Sequence, residues 1–357
     1  MHPFTRRHFL FGSAAFLASG VSLAQSSGSA ASFPRGAVIR TLFKDFDPAE
    51  LAGGATLFHE HLSLGTDFND RFRAASAAVL KAQGLPQPER PAGPPPAPPG
   101  PDPMRDVALM AEELRTAQRE GVSCLVDAGL EGAGADLAFI REASRRSGLP
   151  VVKGAGFYSE PYYPQDLAKQ SEEQLVRALI RQCDEYPAGA FGEIGSWDEM
   201  TVTERKVFRA VGKAHVATNL PVFTHTGIPG KAALQQLDLL EDAGVDPKHI
   251  CIGHLGNLTD PNLYVHKHIC RRGGYVGFDR QGSGNDAPVV PLVMGLIEAG
   301  FVDNILISGD AFRGYARPIT QFVPRLKEAG ASDEVLRRIT IDNPRRFLAF
   351  VPKRPRR

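Results

Sequence analysis

Two histidines separated by one residue, His59 and His61, stand at the end of an apolar run in the segment TLFHEHLSLG. In a β-strand, residues i and i+2 point to the same side, so both imidazoles can face one ion while Glu60 points away. An H-x-H pair alone is weak evidence for a metal site, because such pairs also occur by chance. Its meaning depends on the other residues that the fold brings to it.

Four more ionisable residues close short apolar runs beside small residues. They are Glu193 in AFGEIGS, His225 in PVFTHTG, His254 in ICIGHLG and Asp310 in ILISGD. A buried histidine or carboxylate at such a place needs a partner, and a metal ion satisfies several of them together. Each residue taken alone could equally be a hydrogen-bonded core residue, but their joint recurrence favours a metal site.

These six side chains suit a pair of divalent ions, and imidazole ligands favour zinc over calcium or magnesium. We divide them in this way: His59, His61 and Asp310 on the first ion, His225 and His254 on the second, and Glu193 across both. Two ions roughly 3.5 to 4 Å apart share a water and lower its pKa toward about 7, which gives a bridging hydroxide as nucleophile. Asp310 is also the predicted catalytic residue, because it can accept the proton of that hydroxide.

The elements that must position these residues are short apolar runs, each followed by a longer amphipathic stretch. Strands are predicted near residues 55–59, 122–126, 151–155, 190–193, 222–225, 250–254, 275–278 and 305–308. Helices are predicted over 104–120, 172–186, 203–218 and 231–243, with Gly121 and Gly244 closing the first and last.

Eight alternating βα units predict an α/β fold of the closed (β/α)8 TIM barrel type, with an open doubly wound sheet as the alternative. Barrel enzymes carry their active sites at the carboxyl ends of the strands. All six predicted ligands fall at such ends.

The composition is that of an ordinary globular protein, with 357 residues, of which 43% are hydrophobic and 23% charged. One catalytic domain accounts for this length. The 41 basic and 40 acidic side chains nearly cancel, so no single-sign field recruits nucleic acid or an anionic membrane surface. We therefore expect a small-molecule substrate and neither of those partners.

The four cysteines, Cys124, Cys183, Cys251 and Cys270, are widely spaced and contain no C-x-x-C pair. We interpret them as core thiols. A disulfide formed after export stays open as an alternative.

The first 24 residues have the pattern of a twin-arginine signal peptide, with Arg6 and Arg7 followed by an apolar run to Val21. Small residues allow cleavage after Ala24, and an uncleaved anchor is the alternative. This pattern predicts transport by the twin-arginine export machinery to the periplasm or beyond, with no membrane segment in the mature domain 25–357. That route carries folded proteins and suits an enzyme that acquires its metals before export.

Residues 84–103 are so rich in proline and glycine that we expect an extended insertion within the barrel rather than a domain boundary. The insertion follows the first barrel strand at the catalytic rim, where it serves as a lid or a tether, and we favour a tether.

Two further sets of residues have an expected structural role. Lys153, in VVKGAGFY, is expected to form an internal ion pair rather than a carboxylated metal bridge. The remaining histidines of the mature domain, His215, His249, His266 and His268, are expected at the surface.

Taken together, several motifs resemble the phosphotriesterase family of the amidohydrolase superfamily, including its lactonase-like and homology-protein branches. The motifs are FHEHL, GAGFY, FGEIGS, PVFTHTG, ICIGHLG, YVGFDR, ILISGD and ITIDNPRRFL, and they span residues 37–348. The resemblance implies a binuclear metal centre held by the six positions above, hydrolysis of phosphotriesters, lactones or carboxylic esters, and a homodimer.

Two matches and two departures bear on the substrate. Tyr158 and Arg280 match positions that bind substrate in the lactonase branch, although Tyr158 could cap the core and Arg280 could pair with Asp279. Glu193 stands where phosphotriesterases and lactonases have a carboxylated lysine, as in the homology-protein branch. Asn257 stands where the family often has an aspartate that relays the proton, so Asp260 or solvent would have to substitute.

The leading hypothesis is therefore a two-metal hydrolase of ester-like bonds, in a lactone, a carboxylic ester or a phosphotriester. Amide or other non-ester hydrolysis is a rival within the same class of enzyme. A catalytically weak or inactive periplasmic protein that binds metal or another ligand is the alternative from another class.

Overall fold

Eight parallel β-strands form one sheet in the computed structural model, and their order in the sheet follows their order in the chain. The structure describes residues 31–357 apart from 83, 87–99, 198, 228–231, 259, 261, 285, 355 and 357. The predicted signal peptide and most of the proline-rich insertion lie outside the described residues, so both stay predictions.

A short antiparallel pair precedes the eight-stranded sheet. The strands are β1 Ile39–Arg40, β2 Asp45–Phe46, β3 Ala55–Glu60, β4 Val122–Asp127, β5 Val151–Ala155, β6 Ala188–Ser196, β7 Val222–Thr226, β8 Ile250–Ile252, β9 Tyr275–Phe278 and β10 Ile305–Ile307. All eight predicted strands are present, with bounds that differ from the predicted ones by at most three residues.

Helices follow the strands around the sheet. They are α1 Phe68–Ala82, α2 Val107–Arg119, α3 Leu137–Ser147, α4 Glu172–Glu185, α5 Val202–Thr218, α6 Ala233–Asp242, α7 Tyr264–Arg271, α8 Val290–Glu298, α9 Val323–Glu328, α10 Asp333–Arg337 and α11 Asn343–Leu348. The four predicted helices correspond to α2, α4, α5 and α6. Helix α1 lies between β3 and the proline-rich insertion and was not predicted. None of the described helices is long and apolar enough to cross a membrane.

The sheet closes where β3 meets the end of β10. The Asp310 amide donates to the His59 carbonyl at 3.0 Å, and the His61 amide donates to the Ala311 carbonyl at 3.0 Å. These bonds join the first and last strands, so the predicted (β/α)8 barrel is confirmed and the open sheet is wrong.

Glu60 holds this closing seam together. Its carboxylate accepts hydrogen bonds from the Ser308 hydroxyl at 2.8 Å and from the amides of Gly309 and Ala311 at 2.7 and 2.9 Å. Burial raises the pKa of Glu60 to about 7, although those three donors favour the ionised form. Glu60 points away from its histidine neighbours, as predicted, and fixes the turn that carries Asp310.

Apolar side chains fill the space inside the barrel and between the barrel and its helices. Phe58, Phe223 and Leu306 are fully buried within the inner cluster, together with Cys124 and Cys251. All four cysteines are free thiols, so the core interpretation is confirmed for the three buried ones and the disulfide alternative is not realised.

Lys153 forms the internal ion pair that its strand position predicts. Its Nζ lies 3.1 Å from the Asp127 Oδ2, and it also donates to the carbonyls of Gly129 and Gly154. The other Asp127 oxygen accepts from the Leu62 amide at 2.8 Å. The pair therefore ties β5 to β4 and to the segment that follows His61.

The prediction that four histidines lie at the surface is wrong for His215 and His266, which are buried. His215 contacts the Leu220 carbonyl through Nδ1 at 2.7 Å, and His266 contacts the Leu255 carbonyl through Nε2 at 2.9 Å. Each imidazole contacts a backbone carbonyl oxygen of a neighbouring segment, and this contact compensates for the loss of water on burial. His249 and His268 are half-buried.

Glu204 is a buried carboxylate at the start of α5. It accepts from the Thr201 amide at 3.0 Å and the Glu160 amide at 3.4 Å, while the Thr201 hydroxyl accepts from the Glu204 amide. Burial is the largest influence on Glu204 and raises its pKa to about 7. The folded protein therefore holds this carboxyl neutral at pH values where the unfolded chain ionises it.

We predict that Glu204 makes the protein less stable as pH rises from about 4.5 to 7, by roughly 2 to 3 kcal/mol, with no further change above that range. In Glu204→Gln this loss should disappear, because an amide stays neutral and can still cap the helix as Gln174 does in α4. Urea unfolding at several pH values measures it, with the exposed Glu185→Gln as control. Parallel pH profiles of wild type and Glu204→Gln would contradict the prediction.

Candidate metal centre

The six predicted ligands converge at the carboxyl ends of five strands. The members of this set are His59 and His61 on or just after β3, Glu193 on β6, His225 on β7, His254 after β8 and Asp310 after β10. Five of them are buried, and the side chain of Asp310 is only 15% exposed. The barrel therefore brings together all the residues that the sequence pattern selected.

The nitrogen and oxygen atoms of these residues are close enough to share ions. Ligand atoms of His59, His61 and Asp310 lie within 4.8 Å of one another, as predicted for the first ion. A second such group contains His59, Glu193 and His254 rather than the predicted pair of His225 and His254. His225 still lies beside it, with its Nδ1 2.8 Å from the His254 Nε2.

Glu193 lies in the middle of the set. Its Oε1 is 3.3 Å from the His61 Nε2, while its Oε2 is 3.3 Å from the His59 Nε2 and 3.1 Å from the His225 Nδ1. The two carboxylate oxygens therefore face different imidazoles. This arrangement is the one that a bridging carboxylate needs.

Asp279, directly after β9, orients two of the imidazoles. One of its oxygens lies 2.9 Å from the His59 Nδ1 and the other 2.8 Å from the His254 Nδ1. Because the Nδ1 atoms are engaged, the Nε2 atoms of both rings are directed toward Glu193. Carboxylates in this position fix the tautomer and raise the basicity of histidine ligands.

Two of the six residues have backbone conformations that residues other than glycine rarely adopt. His254 has φ 59° and Asp310 has φ 47°, both in the left-handed region. Such positions cost on the order of 1 kcal/mol each and persist where the surroundings fix them. Here the His254 amide donates to Asp279 at 2.9 Å and the Asp310 amide donates to the His59 carbonyl.

Electrostatics in the centre divide the imidazoles into two kinds. Burial lowers the pKa of His61, but hydrogen bonds to Asp310 and Glu193 outweigh it and raise the pKa to about 9. Burial and the neighbouring His254 instead lower the pKa of His225 to about 4. His225 is therefore neutral near pH 7, as a metal ligand must be, whereas His61 must lose a proton when it binds a metal.

The carboxylates are held ionised. Burial would raise the pKa of Glu193, but the positive charge of His59 and hydrogen bonds from His225 and His254 outweigh it and keep the pKa well below the usual range. Burial opposes ionisation of Asp310 as well, and there His59, His61 and Arg280 outweigh it and lower the pKa. The centre therefore presents anionic oxygens beside its imidazole nitrogens.

The residues fit a pair of divalent ions. Among the described residues the buried His59 Nε2 has no hydrogen-bond partner, although it points at two carboxylates, at 3.3 and 3.6 Å. A buried polar atom without a partner costs free energy that a metal bond would recover. The mixed imidazole and carboxylate donor set suits zinc or another late first-row ion.

Tyr158 and Arg280, the two predicted substrate residues, both reach the centre. The Tyr158 hydroxyl lies 2.9 Å from the His225 Nδ1, and the ring also packs on Phe68 and Tyr162. The Arg280 Nε donates to Asp310 at 2.9 Å, so Arg280 pairs with Asp310 rather than with its neighbour Asp279.

Asp260, the residue proposed to substitute for the missing relay aspartate, does not form a relay with Asp310 among the described residues. The Asp260 carboxylate accepts from the Val265 amide at 2.8 Å. Within the described residues no contact joins it to Asp310. The side-chain nitrogen of Asn257 is buried and has no hydrogen-bond partner in the described part of the chain. Arg280 is the polar side chain that contacts Asp310 from the substrate side.

A cavity of about 140 Å³ opens on the centre, and its walls are largely aromatic. Phe68 and Phe72 of helix α1, Tyr158, and Phe312 from the segment after β10 line it together with the metal-centre residues. The Tyr162 hydroxyl donates to the Phe68 carbonyl at 2.9 Å and so anchors α1 over the opening. The unpredicted helix therefore forms one wall of the site.

Comparison with known proteins agrees with the fold and the arrangement of the six predicted ligands. Residues 39–348 match the sequence model of the phosphotriesterase family. The chain belongs to the phosphotriesterase family. This confirms the resemblance found in the motifs and, with the closed eight-stranded barrel, explains why the six ligands meet at one end.

Relatives and solved structures within this family differ in their named activities. An aryldialkylphosphatase of Saccharolobus solfataricus is 30% identical, over 66% of this chain and 84% of the relative. An N-acetyltaurine hydrolase of Dictyostelium discoideum is 26% identical, over 70% and 75%. A structure of a resiniferatoxin-binding protein from Rhodobacter sphaeroides has a TM-score of 0.73 at 25% identity, covering 88% of this chain and 95% of that one. The named enzymes among them are hydrolases, which supports hydrolysis as the general chemistry of this chain.

The sequence of this phosphotriesterase-family chain carries a local signal for Asp279. Asp279 closes the apolar run YVGF just as the predicted ligands close theirs, although the sequence analysis predicts no role for it beyond a possible pair with Arg280. For Phe68 and Phe72 no such signal exists, because neither is part of a strand-end pattern.

We predict that Asp279→Asn weakens metal binding by about 10- to 100-fold, because His59 and His254 each contact a different Asp279 oxygen and in asparagine one of these two positions becomes an NH2 donor. Zinc retained after dialysis against a competing chelator, measured by mass spectrometry, checks this. Glu204→Gln is the matched control, since it also removes a buried carboxylate but lies outside the centre. Equal zinc retention in both variants would show that Asp279 does not orient the ligands.

Proposed function

We propose that the chain is a two-metal hydrolase that cleaves an ester-like bond in a lactone, a carboxylic ester or a phosphotriester. The single observation that carries this proposal is the convergence of the six predicted ligands at one end of the barrel, where the buried His59 Nε2 has no hydrogen-bond partner among the described residues. Membership of the phosphotriesterase family and the aryldialkylphosphatase among its relatives support the same chemistry.

Two divalent ions bound here would supply a hydroxide nucleophile at neutral pH and polarise the oxygen of the scissile bond. In our proposal His59, His61 and Asp310 would hold one ion and His225 and His254 the other, and Glu193 would be shared between them. Asp279 keeps the His59 and His254 rings in the orientation that this requires.

Asp310 and Tyr158 have the polar groups closest to the reacting atoms in this proposal. Asp310 would accept the proton released during attack, and the Arg280 Nε, which donates to its carboxylate at 2.9 Å, holds that carboxylate in place. The cavity that opens on the centre would give solvent access to Asp310, so solvent would receive the proton from it. Burial raises the pKa of Tyr158 well above its usual range, so its neutral hydroxyl is available to donate to a substrate oxygen.

Amide hydrolysis is a second candidate with a specific observation behind it. Several relatives that match about 70% of this chain are N-acetyltaurine hydrolases, which act on an amide. The same nucleophile and proton acceptor serve either bond. A substrate panel that includes N-acyl amino sulfonates beside lactones, aryl esters and phosphotriesters separates the two.

Metal content tests the centre directly. We predict about two ions per folded chain, and reconstitution that does not depend on bicarbonate, because the Glu193 carboxylate needs no carbon dioxide to assemble. Elemental analysis of protein reconstituted with and without added bicarbonate measures both. Fewer than about 1.5 ions per chain would contradict the two-metal centre, and a strict bicarbonate requirement would contradict Glu193 as the bridge.

Replacement of Asp310 distinguishes an enzyme from a binding protein. We predict that Asp310→Asn lowers turnover of any ester that the wild type hydrolyses by about 100-fold or more, since it removes the proton acceptor. Metal content is measured alongside, so that loss of an ion is recognised. If wild type and variant are equally inactive on the whole panel while both bind a ligand, the binding-protein alternative holds.

The destination of the protein is a further part of this proposal. We propose that the twin-arginine pattern directs export of the folded, metal-loaded enzyme to the periplasm. Its support is the Arg6 and Arg7 pair before an apolar run in the sequence.

A further inference from the structure

A second cavity opens beside the metal centre and shares Asp310 and Phe312 with the first. It has a volume of about 240 Å³ and is lined by residues 281–283, 309–314, 317 and 318, in the segments that follow β9 and β10. Because the two cavities meet at Asp310, a molecule that reacts at the metal centre can extend a substituent into the second one.

The second cavity contains two arginine side chains. Arg313 and Arg317 line it, and Asp310 is the one carboxylate among its described lining residues. Asp310 already contacts the His61 Nε2 at 3.0 Å and the Arg280 Nε at 2.9 Å, so its charge is compensated from the metal side. The remaining polar groups on the wall, Gln281 and Ser283, are uncharged.

Arg317 is held along the wall by two glycines. Its side chain packs on Gly314 and Gly282, where an added Cβ would lie 2.6 Å from the Arg317 Nε and 2.5 Å from the Arg317 Cβ, respectively. Both glycines have a positive φ, 64° and 82°, which residues other than glycine rarely adopt. The Gly314 amide donates to Glu113 at 2.8 Å and so fixes this wall to helix α2.

Across the part of the chain that the structure describes, Arg317 forms no ion pair. Its guanidinium is exposed at the cavity, unlike that of Arg280, which is committed to Asp310. A planar guanidinium with free donors binds carboxylate, sulfonate and phosphate oxygens in pairs. The position of Arg317 therefore suits an anionic group on a molecule that occupies both cavities.

We propose that the second cavity binds an anionic end group of the substrate, a carboxylate, sulfonate or phosphate, through Arg317 while the scissile bond lies at the metal centre. This inference rests on the proposed function, since it takes the metal centre as the place of reaction. It adds that the enzyme selects anionic substrates over neutral ones of the same shape.

Two phenyl esters of equal length test this selection. Monophenyl adipate ends in a carboxylate and phenyl 6-oxoheptanoate in a neutral ketone, while the scissile bond and the leaving phenol are the same. With zinc-loaded enzyme, Arg317→Gln should raise KM for monophenyl adipate about tenfold and change KM for the ketone by less than about twofold. Arg317→Lys, which keeps the charge, should retain most of the preference.

Arg325→Gln is the matched control, because Arg325 is an exposed arginine of the next helix, α9, and does not line the cavity. It should leave KM for both esters unchanged. If Arg317→Gln alters the two esters equally, or neither, while both are hydrolysed, the anion site is wrong and the proposed function stands.

A binding measurement decides the case in which neither ester is hydrolysed. The ether 6-phenoxyhexanoate has the length and charge of monophenyl adipate without a scissile bond, and its affinity is measured by calorimetry against wild type and Arg317→Gln. Weaker binding by the variant supports the anion site even if the proposed esterase activity fails. Arg317-dependent binding of inorganic sulfate without any such binding of the ether would assign the site to a free anion and overturn the proposal.

Discussion

The burial of charge at the carboxyl ends of the strands is the constraint on which the rest of this structure depends. Glu60, Glu193 and Asp279 are each at most 3% exposed, within a cluster of imidazoles that is equally buried. An ionised carboxylate moved out of water without partners costs more than the net stability of a typical domain, about 5 to 15 kcal/mol. Each of these groups must therefore be paired, and the pairings determine how the strand ends meet.

The pairings link segments that are distant in the chain. Asp279 joins β9 to His59 across the barrel and to His254 beside it, while Glu60 joins β3 to the turn after β10. The first pairing directs the Nε2 atoms of two rings toward Glu193. The second holds the left-handed turn at Asp310. The groups that neutralise the buried charge are thus the same groups that orient the predicted metal ligands.

The fold and the ligands could be predicted from sequence because both leave local signals. A strand is a short apolar run, and a ligand such as His225 or Asp310 is the polar residue that closes it. Lys153 was predicted to be paired for a similar reason, since a lysine inside such a run has to find an anion.

Other features depend on partners that no local pattern reveals. Asp279 stands next to Arg280, so an ion pair between neighbours was the simpler interpretation, whereas its partner His59 lies 220 residues away. His215 and His266 can be buried because their ring nitrogens contact the carbonyl oxygens of Leu220 and Leu255. Helical spacing in the sequence does not reveal such acceptors. Helix α1 directly precedes the proline-rich insertion, and the composition of that insertion predicts irregular structure in this part of the chain.

The walls of the two cavities come from segments outside the barrel strands. Helix α1 supplies Phe68 and Phe72, and the segment after β10 supplies Phe312 and Arg317. The reacting groups, by contrast, are fixed by the buried pairings at the strand ends. Arg317 takes no part in those pairings, so a change at this position leaves the charge balance at the strand ends intact. In this chain an aromatic wall faces the metal-centre residues and a wall that contains two arginines adjoins it, and neither wall belongs to the buried pairings that hold the strand ends together.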